Sequence, residues 1–251
     1  MDYRILYLSQ KPLGNQCLNA MIEIGMQHCI QAIVSNSEKN NWWASANEYE
    51  YAKKNNIYCI DNIIKNEELI INAINTHKIN TIISVQHPWI LSSNVLELVN
   101  YFAFNLHNAK IPDYKGYNSY NHAILNGEKE YFSTIHWIVD KVDMGDIAFE
   151  KSIPITSDTT SFDLIKRATV NAIVIFNEFI ATLKQNKQIP RKSILQNGKF
   201  YGRNSLDMLR EIKNINNYDE VDLKTRAFYN PPFDGCYYIL NGKKFYINPS
   251  L

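Results

Sequence analysis

Cysteine is scarce in this chain: four residues in 251, at Cys17, Cys29, Cys59 and Cys236. They form neither a CxxC pair nor a dense framework, which excludes a disulfide scaffold and points to packed thiols in a reduced compartment. Long apolar runs are missing as well. The longest, such as Thr81 to Val85, are strand-sized and far short of the roughly 20 residues of a membrane helix, so no transmembrane span is expected. An excess of either charge is also absent, with 26 Lys and Arg against 25 Asp and Glu and a net charge of +1. No global field attracts a polyanion, which disfavours nucleic acid as the main partner. The start, Met-Asp-Tyr-Arg, enters a strand pattern without a basic stretch, an apolar h-region or a cleavage site, so a cytoplasmic protein is expected.

The composition, 45% hydrophobic and 20% charged, is that of a globular protein. Residues 4 to 9 (RILYLS) read as a buried strand, followed by a loop over 10 to 14 and a helix carrying Cys17, Leu18, Met21, Ile22 and Ile24. Further strands are predicted at 30–34, 57–60 and 81–85, with helices near 47–54 and at 61–75 between them. Strands at 102–106 and 133–139 and a long helix from Ser161 continue the pattern. Helix-length segments between strands indicate βαβ units. The tail holds a short helix, a Pro231-Pro232-Phe233-Asp234-Gly235 turn, and two alternating runs flanking Asn241-Gly242, the strongest short-range hairpin signal. The predicted fold is α/β, an open Rossmann-like, mostly parallel sheet with a small C-terminal β-hairpin appendage. The expected domains are 1–200, catalytic, and 201–251, a helix and hairpin region.

In open α/β sheets, ligands sit beyond the carboxyl ends of strands. Three polar groups are candidates: Asn105 with His107, placed on one face by strand alternation; the loop Asp113 to Asn118, broken by Gly116; and Asp140 to Asp146, after the strand that carries His136. An amide N–H can stabilise an oxyanion, an imidazole can move a proton, and a carboxylate can orient or charge the imidazole, which together suit acyl transfer. Taken singly, each also suits a structural hydrogen bond or a turn. A metal reading of His107, His136 and Asp143 finds no compact ligand spacing to support it.

The string Phe104-Asn105-Leu106-His107-Asn108-Ala109-Lys110-Ile111-Pro112-Asp113-Tyr114-Lys115-Gly116, followed by the stretch from Ser133 through His136, Asp140, Asp143, Gly145 and Ile147, resembles the folate-dependent formyltransferase family. That family carries N-x-H-x-S-x-L-P-x-Y-x-G and then H-x-V-D-x-x-x-D-x-G-x-I. Asn108-Ala109-Lys110 departs from the commoner Pro-Ser-Leu, and the loop after the first strand is poor in Gly. The resemblance extends to Tyr201-Gly202-Arg203 and to the segment from Arg226 to Gly235, which look like C-terminal elements of members that formylate amino sugars.

The resemblance implies N10-formyltetrahydrofolate as donor, an amine as acceptor and no metal. It gives Asn105, His107 and Asp143 the catalytic roles. The cofactor pocket would comprise Gln86, His87, Trp89 and Ile90 with Val139, Asp140 and Lys141. For a nucleotide-linked amino sugar, Lys11 and Arg203 would meet the pyrophosphate, Tyr229 or Phe228 the base, and Gly116, Tyr117 and Asn118 the acceptor. The acceptor expected is a dTDP-linked 3- or 4-amino-dideoxyhexose for a bacterial surface polysaccharide, because the chain is short of the RNA-contacting domain of the methionyl-tRNA enzyme and longer than the purine-pathway enzyme. Another amine acceptor, a formate-releasing hydrolase and a non-catalytic nucleotide-sugar-binding module stand as alternatives. The apolar face of the hairpin is expected either to form a homodimer interface or to dock on the main domain.

Overall fold

Alternating apolar positions along each strand put hydrophobic side chains on both faces of one sheet. The computed structural model describes residues 2–37, 48–194 and 197–249. In chain order the elements are β1 (Ile5–Ser9), α1 (Pro12–Glu23), β2 (Ile30–Ser35), α2 (Glu48–Lys54), β3 (Tyr58–Asp61), α3 (Glu67–His77), β4 (Thr81–Val85), α4 (Ser93–Leu98), β5 (Ala103–His107), β6 (Tyr114–Gly116) and α5 (Ser119–Leu125). They continue with β7 (Glu130–Trp137), β8 (Ile147–Pro154), α6 (Ser161–Lys184), β9 (Lys199–Tyr201), α7 (Tyr218–Phe228), β10 (Cys236–Leu240) and β11 (Lys243–Ile247). The seven-stranded sheet has the order β3-β2-β1-β4-β5-β7-β8. Every pair from β3 to β5 is parallel, and β7 runs antiparallel to β5. The predicted open, mostly parallel α/β sheet with a C-terminal hairpin is the fold observed.

The chain forms two compact units. The first comprises Met1–His107, Thr134–Glu150 and Ala172–Leu195; the second comprises Asn108–Ser133, Lys151–Asn171 and Gln196–Leu251. In the first, Ile5, Tyr7, Ile33, Ile83, Phe104 and Ile135 face one cluster with Leu18 and Met21 of α1 and Ile175, Phe176 and Phe179 of α6. Their sequence neighbours Leu6, Leu8, Val34, Ile82 and Ala103 face the other, with Ile70 and Ile74 of α3 and Val95 and Leu96 of α4. The period of two thus covers the sheet on both faces.

The second unit has its own core around Tyr114, Ile124, Tyr131, Leu164, Ala168, Tyr201, Ile212, Phe228 and Cys236. β6 and β9 pair in parallel, and β10 pairs with β11 across Asn241 and Gly242, both at positive φ (48° and 75°), as a type I′ turn requires. The hairpin docks on this core through buried Cys236, with Tyr238 and Ile247 packed against it. Ile239, Leu240, Phe245 and Tyr246 remain exposed.

Several boundaries differ from expectation. α1 starts at Pro12, because proline at N1 needs no N–H partner, so the loop predicted over 10–14 shrinks to two residues. α3 starts at Glu67, since Asn66 caps it by accepting from Leu69 N (3.3 Å), and Asp61 belongs to β3. β7 spans 130–137 where 133–139 was expected. Asn47 lies outside the described residues. α4 and α5, of 6 and 7 residues, are too short for a helical period to stand out.

In the first unit, two glycines mark close approaches. A Cβ on Gly14 would meet Ser9 Cβ at 2.4 Å and Glu48 Oε1 at 2.9 Å, which seats α1 where Glu48, buried at 1% exposure, accepts from Ser9 Oγ (2.6 Å) and Ser35 Oγ (3.3 Å). A Cβ on Gly145 would meet Trp137 O at 1.7 Å, so the turn joining β7 to β8 closes only around glycine.

Gly145→Ala is therefore expected to lower stability by about 1–3 kcal/mol through forced overpacking, measured by urea denaturation. Burial raises the Glu48 carboxyl above its usual value, against the lowering effect of its hydrogen bonds. The folded state then binds the proton more tightly than the unfolded chain, so wild-type stability falls as pH rises from the unfolded value through the folded one. Glu48→Gln lacks that slope, and its stability relative to wild type is expected to increase over this window; a difference independent of pH contradicts the assignment.

Candidate active site

β5 delivers two polar side chains, Asn105 and His107, toward its C-terminal end. Asn105 and His107 share the face of Ala103 by strand alternation. The antiparallel register sets His136 of β7 opposite Asn105 and Thr134 opposite His107. His136, 3% exposed, lies with Nε2 3.1 Å from Asn105 Nδ2 and Nδ1 2.9 Å from Trp137 O.

Asp143 reaches this pair along an unexpected route. Because β7 is antiparallel to β5, the chain after Trp137 starts beside the first residues of β5, where Ile138 N donates to Ala103 O (2.8 Å). The loop then returns, bringing Asp143 Oδ1 to 3.4 Å from His136 Nε2 and Oδ2 to 3.8 Å from His107 Nε2. Asp143 sits in left-handed backbone, φ +50°, a conformation that costs energy for a residue other than glycine and concentrates at functional sites. The structure thus brings Asn105, His107 and Asp143 together, with the carboxylate between two imidazoles. Among the described residues no group of His, Cys, Asp or Glu has the arrangement of a metal site.

Gln86, His87, Trp89 and Ile90 occupy the loop after β4, which also leaves its strand in left-handed backbone at Gln86 (φ +51°). The rings of His87 and Trp89 meet edge to face at 5.1 Å. Burial pulls the His87 imidazole down to about 3, so it is neutral near pH 7. Its Nδ1 accepts from Trp89 N (3.3 Å), and its Nε2 lies 3.2 Å from Asn62 Nδ2. Asn62 is buried and keeps one amide position without a partner. Lys65 Nζ donates to Ile90 O (2.7 Å), tying the loop after β3 to this one. Of the other expected pocket residues, Val139 is half-buried and Asp140 and Lys141 are exposed, all three on the β7–β8 loop.

In the second unit, Gly116 at φ +88° lies against Tyr201 O. Tyr117 and Arg203 form a pair, the guanidinium 4.9 Å over the ring and Nη2 donating to the phenol oxygen (3.1 Å). Asn118 donates to Arg203 O (2.9 Å). Tyr229, half-buried, meets Phe162 edge-on, whereas Phe228 is a core side chain. Lys11 is exposed at the cap position of α1 in the first unit.

The sequence reading missed Asn62 and the pairing of His136 with Asn105. The second was visible in the alternation of STIHWIV, which puts His136 on the face opposite to Ile135 and Trp137; the first gives no signal, because an asparagine after a strand reads as a loop residue.

Residues 4–179 match the family model for formyl transferases. A curated relative, the bifunctional polymyxin resistance protein ArnA of Wigglesworthia glossinidia brevipalpis, is 26% identical over 186 residues, which are 73% of this chain and 28% of that protein; the chain thus spans little more than a quarter of that relative's length. Among solved structures, a 4-N formyltransferase from Francisella tularensis aligns with 100% of this chain and 99% of its own, at a TM-score of 0.79 and 19% identity. The N-formyltransferase from Helicobacter canadensis, solved in complex with folinic acid and dTDP-3-aminofucose, aligns with 96% of this chain and 86% of its own, at a TM-score of 0.74 and 21% identity. At these identities the likeness is one of fold. The match over residues 4–179, which include β5 and the β7–β8 loop, makes this chain a member of the formyl transferase family.

Proposed function

We propose that this chain transfers a formyl group from N10-formyltetrahydrofolate to the amine of a nucleotide-linked amino-deoxy sugar, dTDP-4-amino-4,6-dideoxyglucose or its 3-amino isomer. The observation that carries the proposal is the convergence of Asn105, His107 and Asp143 within a formyl transferase fold. When bound, N10-formyltetrahydrofolate supplies an activated formyl carbon. Asn105 donates an N–H to the formyl oxygen as negative charge develops there during attack by the amine. His107 stabilises the same charge and assists proton movement. Asp143 orients His107, or takes the amine's proton through water. Donors fixed before the reaction act in a partly desolvated site and need no reorganisation.

The donor pocket is supported by Trp89 beside a neutral His87 and by Asn62, whose unpaired buried amide position offers hydrogen-bonding capacity to a flat polar heterocycle. In the proposed complex Gln86, Ile90, Val139, Asp140 and Lys141 line it. For the acceptor, the Tyr117–Arg203 pair of the second unit, with Gly116, Asn118 and Tyr229, provides aromatic faces and a cation suited to a base and a pyrophosphate, and Lys11 of the first unit is a further cation of the kind a pyrophosphate takes. The complex of the Helicobacter canadensis protein, with a dTDP-amino sugar and a folate, supports this acceptor class. In solution the chain is proposed to form a homodimer through Ile239, Leu240, Phe245 and Tyr246 of the hairpin.

Incubation with N10-formyltetrahydrofolate and dTDP-, UDP- and GDP-linked amino sugars is expected to add a mass of about 28, the weight of CO, to a dTDP-sugar. Formyl transfer confined to a non-sugar amine, or formate release without acceptor, overturns the proposal. Asn105→Ala and His107→Ala are each expected to lower kcat by about a hundred- to a thousand-fold, the cost of losing one oxyanion donor. Light scattering on a sizing column is expected to give a dimer that Phe245→Lys converts to monomer; a wild-type monomer counts against the interface.

A further inference from the structure

His136 belongs to none of the roles assigned above, yet it touches two of the three groups at the site. Its Nδ1 lies 2.9 Å from Trp137 O, and a carbonyl oxygen only accepts, so Nδ1 carries a proton. That carbonyl is held in turn, because Gly145 packs directly upon it. Nε2 faces Asn105 Nδ2 at 3.1 Å and Asp143 Oδ1 at 3.4 Å. A lone pair on Nε2 suits the nearer of these, the amide N–H of Asn105.

We infer that His136 is a positioning residue that fixes the sense of the Asn105 side-chain amide for oxyanion stabilisation. The inference rests on the formyl-transfer reading above. An asparagine amide has nearly the same shape in its two orientations. Presented oxygen-first, it repels a developing oxyanion; presented nitrogen-first, it stabilises one. With one N–H of Asn105 given to His136, the second N–H on the same nitrogen is left for the formyl oxygen. The chain Trp137 O, His136, Asn105 is therefore a directional relay of hydrogen bonds, built across one strand pair and buried at its middle member. A carboxylate near the same nitrogen does not supply this direction, since Asp143 Oδ1 is only an acceptor toward Nε2.

Two substitutions divide the ring's functions. Asn places an amide nitrogen near the position of Nδ1 and keeps a donor for Trp137 O, while leaving Asn105 without its acceptor. Gln reaches the position of Nε2 and offers Asn105 an oxygen. His136→Asn is expected to lower kcat about thirty-fold with KM changed less than threefold, and His136→Gln to recover most of that loss, within the range set by one misdirected oxyanion donor. In an Asn105→Ala background, His136→Asn is expected to cost nothing further, the signature of two residues acting as one. Equal losses in the Asn and Gln variants, or full additivity with Asn105→Ala, overturn the inference. Nitrogen-15 spectra of the wild-type histidines give a readout that needs no turnover. The expected state is Nδ1 protonated and Nε2 unprotonated, with the Nε2 resonance shifted by Asn105→Ala; a proton on Nε2 alone contradicts it. Failure of the formyl-transfer reading appears separately, as wild-type protein without transfer, while these spectra still report the tautomer.

Discussion

The register between β5 and β7 is the constraint on which the site depends. It sets Asn105 against His136, and the returning loop brings the Asp143 carboxylate to 3.4 Å from the same imidazole. In a parallel sheet of apolar strands, a polar side chain at mid-strand costs energy unless it finds a partner. The single antiparallel neighbour supplies that partner in the same layer, within hydrogen-bond distance. A slip of one residue would turn Asn105 and His107 toward the apolar cluster containing Phe104 and Leu106, so the hydrophobic pattern that builds the sheet also sets the chemistry.

Around that pair the backbone carries strain at two places, Asp143 and Gln86, both in left-handed conformation. Each begins or shapes a loop that holds candidate ligand contacts, and each is restrained by neighbours: Asp143 by the Gly145 turn packed on Trp137 O, and the Gln86 loop by the hydrogen bonds from Lys65 to Ile90 O and between Asn62 and His87. Conformations of this kind persist only where the surrounding structure over-determines them. The buried Glu48 between Ser9 and Ser35 does comparable work at the ends of β1 and β2, where it ties strand termini together.

Much of the parallel sheet was legible in the sequence because its strands bury both faces, which makes runs such as ILYLS and TIISV continuous and apolar. The hairpin was legible from Asn241-Gly242 for a stereochemical reason. The candidate trio Asn105, His107 and Asp143 was visible as residue types within a family pattern, and the structure brings its members together. What the sequence did not reveal is instructive. In the sequence Asp143 reads as a residue leaving a strand's carboxyl end, but β7 is antiparallel to β5 and the loop returns to reach the imidazoles; strand direction is a tertiary property with no local signature. In the sequence His136 suggests only a metal ligand, because the register that makes it a partner of Asn105 connects residues 31 apart. Helices of 6 and 7 residues and strands of 3 are fixed by their neighbours, so their propensities alone do not announce them.

The central claim is that this site moves a one-carbon unit to an amino sugar. The most direct measurement supplies N10-formyltetrahydrofolate labelled with carbon-13 in the formyl group, together with a nitrogen-15 amino dTDP-sugar, and follows the label by NMR. The account predicts a new formamide carbon coupled directly to the sugar nitrogen, appearing at the rate at which tetrahydrofolate is released. Label recovered only as free formate, or left on the folate while the sugar stays bound and unchanged, contradicts it.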